Sequence, residues 1–192
     1  MAHAPASSPV TRWLACAVLV TVLLLTTGPA GARVIKSSTA GFSLEHELVL
    51  PVSPGEAFDA MTGDISGWWD HSFSGTPKAL YIEPRPGGGF YEIFDDSGDG
   101  ALHASVTYAD RGRLLRFVGP LGLAGNAFTM SVTVTYEPHA DGTLVKLSVN
   151  SMGIMEDGWD EAVDQVWHHF LFERLKPYVE AGKHRGGSRT KD

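Results

Sequence analysis

The chain has 192 residues, 43% apolar and 19% charged, with a formal net charge of −7. That length suits one domain with a real core, and the composition is that of a globular chain rather than a disordered one. The negative balance argues against a general nucleic-acid binder, which needs a basic face to displace counterions.

No acidic residue precedes Glu45, so the N-terminal stretch differs in kind from the rest of the chain. Arg12 is followed by an apolar run from Leu14 to Leu25 and then by the small-residue triplet Ala30-Gly31-Ala32. This is the layout of an export signal over residues 1–32, cleaved near Ala32. The run is shorter than the roughly 20 residues of a spanning helix. An uncleaved anchor is the alternative, and the only membrane contact expected. Cleavage implies a secreted or periplasmic protein of charge 14 − 22 = −8, and it removes Cys16, the only cysteine. The mature chain then has no disulfide, thiolate metal site or thiol nucleophile.

Residues 33–41 are a polar lead-in. From Phe42 to Leu50 the pattern alternates, with Phe42, Leu44, His46, Leu48 and Leu50 on one face, as in a half-buried strand. His46 on that face is expected to be a hydrogen-bonded structural residue. Ser53, Pro54 and Glu56 form a capping box that opens a short helix through Met61. A second short helical turn or loop carries Ile65 to His71. Strands are then expected at 79–83, 90–94, 102–108, 114–118, 127–137 and 143–150, separated by glycine, proline and aspartate turns. The last element is the longest helix, from about Asp157 to Ala181, with apolar residues at 159, 163, 166, 167, 170, 171, 175, 178 and 179. Pro177 predicts a kink or an early end. The residues after Ala181 carry no apolar anchor, so 182–192 read as a disordered basic tail.

The order is strand, short helix pair, six strands and long helix. It predicts an α+β domain over 42–181, a curved antiparallel sheet wrapped around the C-terminal helix. Five stretches carry a resemblance: Val52-Ser-Pro-Gly-Glu-Ala-Phe58, Trp68-Trp69, Glu83-Pro-Arg-Pro-Gly-Gly-Gly-Phe90, Arg113-Leu-Leu-Arg-Phe117, and Trp167 with Phe170 and Leu171. In this order they resemble the START-like (SRPBCC) superfamily and its helix-grip fold. Within it, the chain looks most like the branch similar to the C-terminal domain of the heat-shock-protein-90 ATPase activator. The resemblance implies an apolar cavity between sheet and helix for a small hydrophobic ligand. An export signal would separate the chain from a cytosolic chaperone, and fold alone does not license a function.

Pro86-Gly-Gly-Gly89 lacks the Lys-Ser/Thr of a phosphate loop and opens a strand, so it reads as a bend or bulge. His168 and His169 are adjacent on a helix, about 100° apart, and no His-Glu-x-x-His motif is present. His71, His103 and the helix pair can converge only through the fold, so no metal or other cofactor is expected. Glu92 shares its face with Phe90 and Phe94, and His103 lies across the hairpin from it. With Arg116, these polar groups either orient a ligand, act as acid and base in a cyclase- or hydrolase-type enzyme, or form surface ion pairs. The ligand-contacting set expected is Trp68, Trp69, Phe90, Glu92, His103, Arg116, Phe128, Trp167 and Phe170, with the Gly119–Gly125 loop as a lid. The expected function is an exported, non-catalytic binder of a small hydrophobic, lipid-like or polycyclic molecule. The alternatives are the enzyme and a co-chaperone-like interaction module.

Overall fold

A computed structural model of the protein describes residues 40–186, so the expected export segment lies outside the described residues. One antiparallel sheet holds eight strands: β1 (Ser43–Leu50), β2 (Gly63–Asp64), β3 (Ala79–Ile82), β4 (Gly89–Ile93), β5 (Gly100–Asp110), β6 (Leu114–Gly119), β7 (Phe128–His139) and β8 (Gly142–Gly153). Their spatial order is β1-β8-β7-β6-β5-β4-β3-β2. Only β1 leaves sequence order, crossing to pair with β8.

Alternation sets the register. Val132, Val134 and Tyr136 on β7 stand opposite Val149, Leu147 and Val145 on β8, and all six are buried. Thr129, Ser131, Thr133 and Thr135 point the other way. A slip of one residue would turn the buried row to solvent. Two bulges, at Phe90/Tyr91 and at Val106/Tyr108, each add a residue to β5 and bend it. The triple glycine that leads into β4 is a bend in the sheet. Gly87 has φ 77°, and Gly87 and Gly88 exchange hydrogen bonds with Val106 of 2.9 and 2.8 Å.

Helix α1 (Pro54–Ala60) opens with the capping box, Ser53 and Glu56 bonding reciprocally. It packs Phe58 edge-on against Tyr136 at 5.5 Å. Burial pushes the Tyr136 phenol pKa far above its ordinary value, with nearby Asp59 adding to the shift. The second expected helix reduces to one turn, in which Trp68 and Trp69 both donate to the Ile65 carbonyl. The chain around that turn is spent on the sheet instead: Gly63–Asp64 pair with β3, and Ile65 N–H donates to the Leu80 carbonyl.

The long helix has three parts: α2 (Trp159–His168), a π-helical stretch (His169–Leu175) and α3 (Lys176–Glu180). The helix runs through Pro177 and ends at Glu180. The ring lacks an N–H and crowds the preceding turn. A wide turn just ahead takes up the mismatch, with Lys176 N–H donating to the Leu171 carbonyl five residues back. Trp167, Phe170, Leu171, Leu175 and Val179 bury the inner face. Burying each large side chain is worth about 1.5–3 kcal/mol. The packed domain also runs past Ala181. Gly182 (φ 68°) ends the helix, Lys183–Arg185 form a 3-10 turn, and His184 packs on Tyr178, so the start of the expected disordered tail is ordered. Among the described residues no helix is long and apolar enough to cross a membrane.

Candidate functional site

The sequence-predicted residues fall into three places. Trp68, Trp69, Phe90, Trp167 and Phe170 converge where the Ile65 turn meets the long helix. Trp69 stacks on Phe170 at 3.8 Å and 21°, and meets Phe90 and Trp167 edge-on at 5.0 and 5.8 Å. Trp68 donates its indole N–H to the Ala60 carbonyl at 2.9 Å. These rings fill the middle of the sheet–helix layer with each other, where a guest cavity was expected.

Glu92 and His103 sit beside Phe90. The β5 bulge leaves His103 as the extra residue, so it and Ala104 both face inward. Glu92 has no exposed surface. Its carboxylate accepts from Phe73 N–H (3.0 Å), Ser74 N–H (2.9 Å), Ser74 Oγ–H (2.8 Å) and His103 Nε2 (2.9 Å). Burial pushes its pKa up, but the donors from Phe73, Ser74 and His103 outweigh burial and hold it below the ordinary value. Every lone pair in reach is used, so this carboxylate straps the 70–78 loop to the sheet rather than waiting for a substrate. Arg116 is not part of this group. Leu115 and Phe117 flank it and are buried inward, while Arg116 donates to Thr133 Oγ1 (2.9 Å) on the other face. The acid–base set of Glu92, His103 and Arg116 is therefore not assembled.

Phe128 lies apart, at the end of the layer where α2 begins. It meets Trp159 edge-on at 5.4 Å and Phe42 at 6.2 Å. Here the apolar groups are only half covered: Phe42 and Leu44 on the β1 side, Trp159, Val163 and Val166 on α2, and Leu123 and Met155 at the rim. Ile154, next to them in the chain, is 73% exposed. Further along the same seam His46 Nε2 is buried without a hydrogen-bond partner; Asp164 Oδ1 is 3.0 Å away but off the line of a bond. His46 is thus held by a carboxylate contact to α2. The lid loop is tethered, with Leu121 buried at φ 51°.

Two further features stand out; the first was not read from the sequence, and the second joins His71 to one histidine of the helix pair, with Asp70 as the addition. A half-open cleft of about 820 Å³ lies between α1, the β2–β3 edge and Tyr178. Glu56, Asp59, Asp64, Lys78 and Arg185 line it together with Leu80, Tyr81, Pro84 and Tyr178, so its wall is mixed. Asp70, His71 and His169 bring three potential metal-binding atoms within 4.8 Å of one another. Glu173, then Asp70, raise the pKa of the His169 imidazole, while burial of Asp70 is outweighed by His71, His169 and Arg174, which lower its own.

The curled antiparallel sheet with a long C-terminal helix across it is the α+β helix-grip fold. Solved structures carry the same likeness. A protein of unknown function, SA2116 from Staphylococcus aureus, is 13% identical with a TM-score of 0.59, covering 76% of this chain and 97% of that one. A putative uncharacterized protein from Rhizobium leguminosarum is 16% identical at 0.59, covering 74% and 97%. Ara h 8.0201 is 18% identical at 0.51, covering 73% and 99%. At such identities the likeness is one of fold. No family model matches the sequence, and no curated protein matches it.

Proposed function

We propose that the protein is an exported, non-catalytic binder of a small hydrophobic molecule, taken up in the seam between β1 and the first half of α2. The half-covered apolar seam, ending at the His46–Asp164 pair, supports this reading. Elsewhere the sheet–helix layer is sealed by its own rings. An apolar body with one hydrogen-bonding group suits such a lining. Export rests on the 1–32 segment. The likeness to the branch of the heat-shock-protein-90 ATPase activator rests on the five sequence stretches and is read as one of scaffold, since an exported chain does not meet a cytosolic chaperone.

Titration with the apolar dye 8-anilinonaphthalene sulfonate tests the site, with Trp159 emission as reporter. Saturable 1:1 uptake, weakened at least tenfold in Val163→Asp, is expected. Uptake that ignores Val163→Asp, or no saturable uptake, sinks the reading. N-terminal sequencing of the chain from its own host tests export; a cytoplasmic chain that keeps residues 1–32 rejects it.

A further inference from the structure

We propose that Asp70, His71 and His169 form a divalent transition-metal site of the zinc type, independent of the hydrophobic-ligand reading. Two elements build it. Asp70 and His71 follow Trp69, whose ring is clamped on Phe170. His169 opens the π-helical stretch, one residue before Phe170. His71 and His169 both pack against the Phe170 ring, at 4.8 and 5.8 Å, so neither imidazole swings freely.

The donor geometry is close to what a metal needs. His71 Nδ1 is 2.9 Å from Asp70 Oδ1, and His169 Nε2 is 3.1 and 3.0 Å from Asp70 Oδ1 and Oδ2. Zinc bonds to imidazole nitrogen and carboxylate oxygen are about 2.0–2.2 Å, which sets tetrahedral donor separations of roughly 3.3 Å. Side-chain shifts alone bring this set to that spacing. The far nitrogen of His169, Nδ1, is 2.8 Å from Glu173 Oε2. This is the carboxylate–histidine arrangement that orients metal-binding imidazoles and raises their basicity. Glu173 and His169 are four apart, one turn of the helix, so the orienting group comes from the same element.

Arg174 Nε lies 3.0 Å from Asp70 Oδ2. A metal on Oδ1 leaves that ion pair in place. Two imidazoles and one carboxylate, with no sulfur, suit a borderline ion such as Zn²⁺ over Ca²⁺ or Mg²⁺. Three protein donors leave a fourth position for water, as in open zinc sites. His139, 3.8 Å from Asp141, is an unrelated histidine–carboxylate pair and serves as the control.

Calorimetric titration of the untagged full chain with Zn²⁺, and absorption titration with Co²⁺, test the site. One ion per chain and an intense tetrahedral-type Co²⁺ spectrum are expected. His71→Ala and His169→Ala should each weaken binding at least tenfold. Glu173→Gln should weaken it about tenfold by removing the orienting carboxylate, and His139→Ala should leave it unchanged. His71 and Glu173 are exposed and His169 is half-buried, so circular dichroism verifies that each variant folds. No saturable binding overturns the proposal, as does binding that survives both His71→Ala and His169→Ala. So does a result in which the variants shift melting temperature equally with and without Zn²⁺, which marks the cluster as a proton-bridged clasp alone.

Discussion

Glu92 keeps its charge in a place water does not reach. Four donors replace the lost hydration, and the 70–78 loop is held by that exchange. Its pKa is lowered in the folded chain. The stability it contributes is therefore present above the unfolded carboxylate value of about 4.3 and is lost as pH falls through the folded value. Glu92→Gln should cost about 1.5–3 kcal/mol at neutral pH, measured by urea unfolding. It should also flatten the acid limb, so that wild type and variant converge as pH drops below about 4.3. A variant with the same pH slope as wild type would mean the carboxylate is not the anchor. The inward side of Glu92 was legible from its alternation with Phe90. The opposite side of Arg116 was equally legible, from Leu115 and Phe117 around it. The approach of His103 was less so, because a bulge shifts inside and outside by one residue and no residue type announces it.

At the scale of elements, capping is the clearest local rule. Ser53 and Glu56 were read as a capping box, and the structure contains both halves of it. Ser53→Ala should lower stability by about 1 kcal/mol, seen as a lower urea midpoint with unchanged slope. An unchanged midpoint would show that packing of Phe58 on Tyr136 alone sets the helix. The alternation of β1 and of β7 was legible for the same reason: one face meets the core and the other meets water. The π-helical stretch was not. Pro177 signals trouble for an α-helix, but where the chain relieves it depends on what the helix packs against. The same holds for the meeting of Asp70 and His71 with His169, 99 residues on from Asp70, which depends on Trp69 stacking on Phe170.

For the molecule as a whole, the helix-grip arrangement followed from element order, whereas the cavity expected from that class did not. Counting aromatics on paired faces cannot tell whether they line a space or fill it. Phe170 sits at the centre of that question, touching Trp68, Trp69, Trp167 and His71. Phe170→Ala should cost about 3–5 kcal/mol, measured by denaturant unfolding, while dye uptake at the β1–α2 seam stays as in wild type. Loss of seam uptake in a still-folded Phe170→Ala chain would place the guest under the middle of the helix instead.

The crossover of β1 to β8 also governs timing. Ser43 and Asn150, bonded side chain to side chain at 2.7 Å, are 107 residues apart. At about 5–20 residues per second of synthesis, β1 waits roughly 5–20 s for its only neighbour. Until then the sheet cannot gain its first strand, and the emerging chain stays open. The first strand of the domain is therefore the one that cannot lock until the last strand has been made.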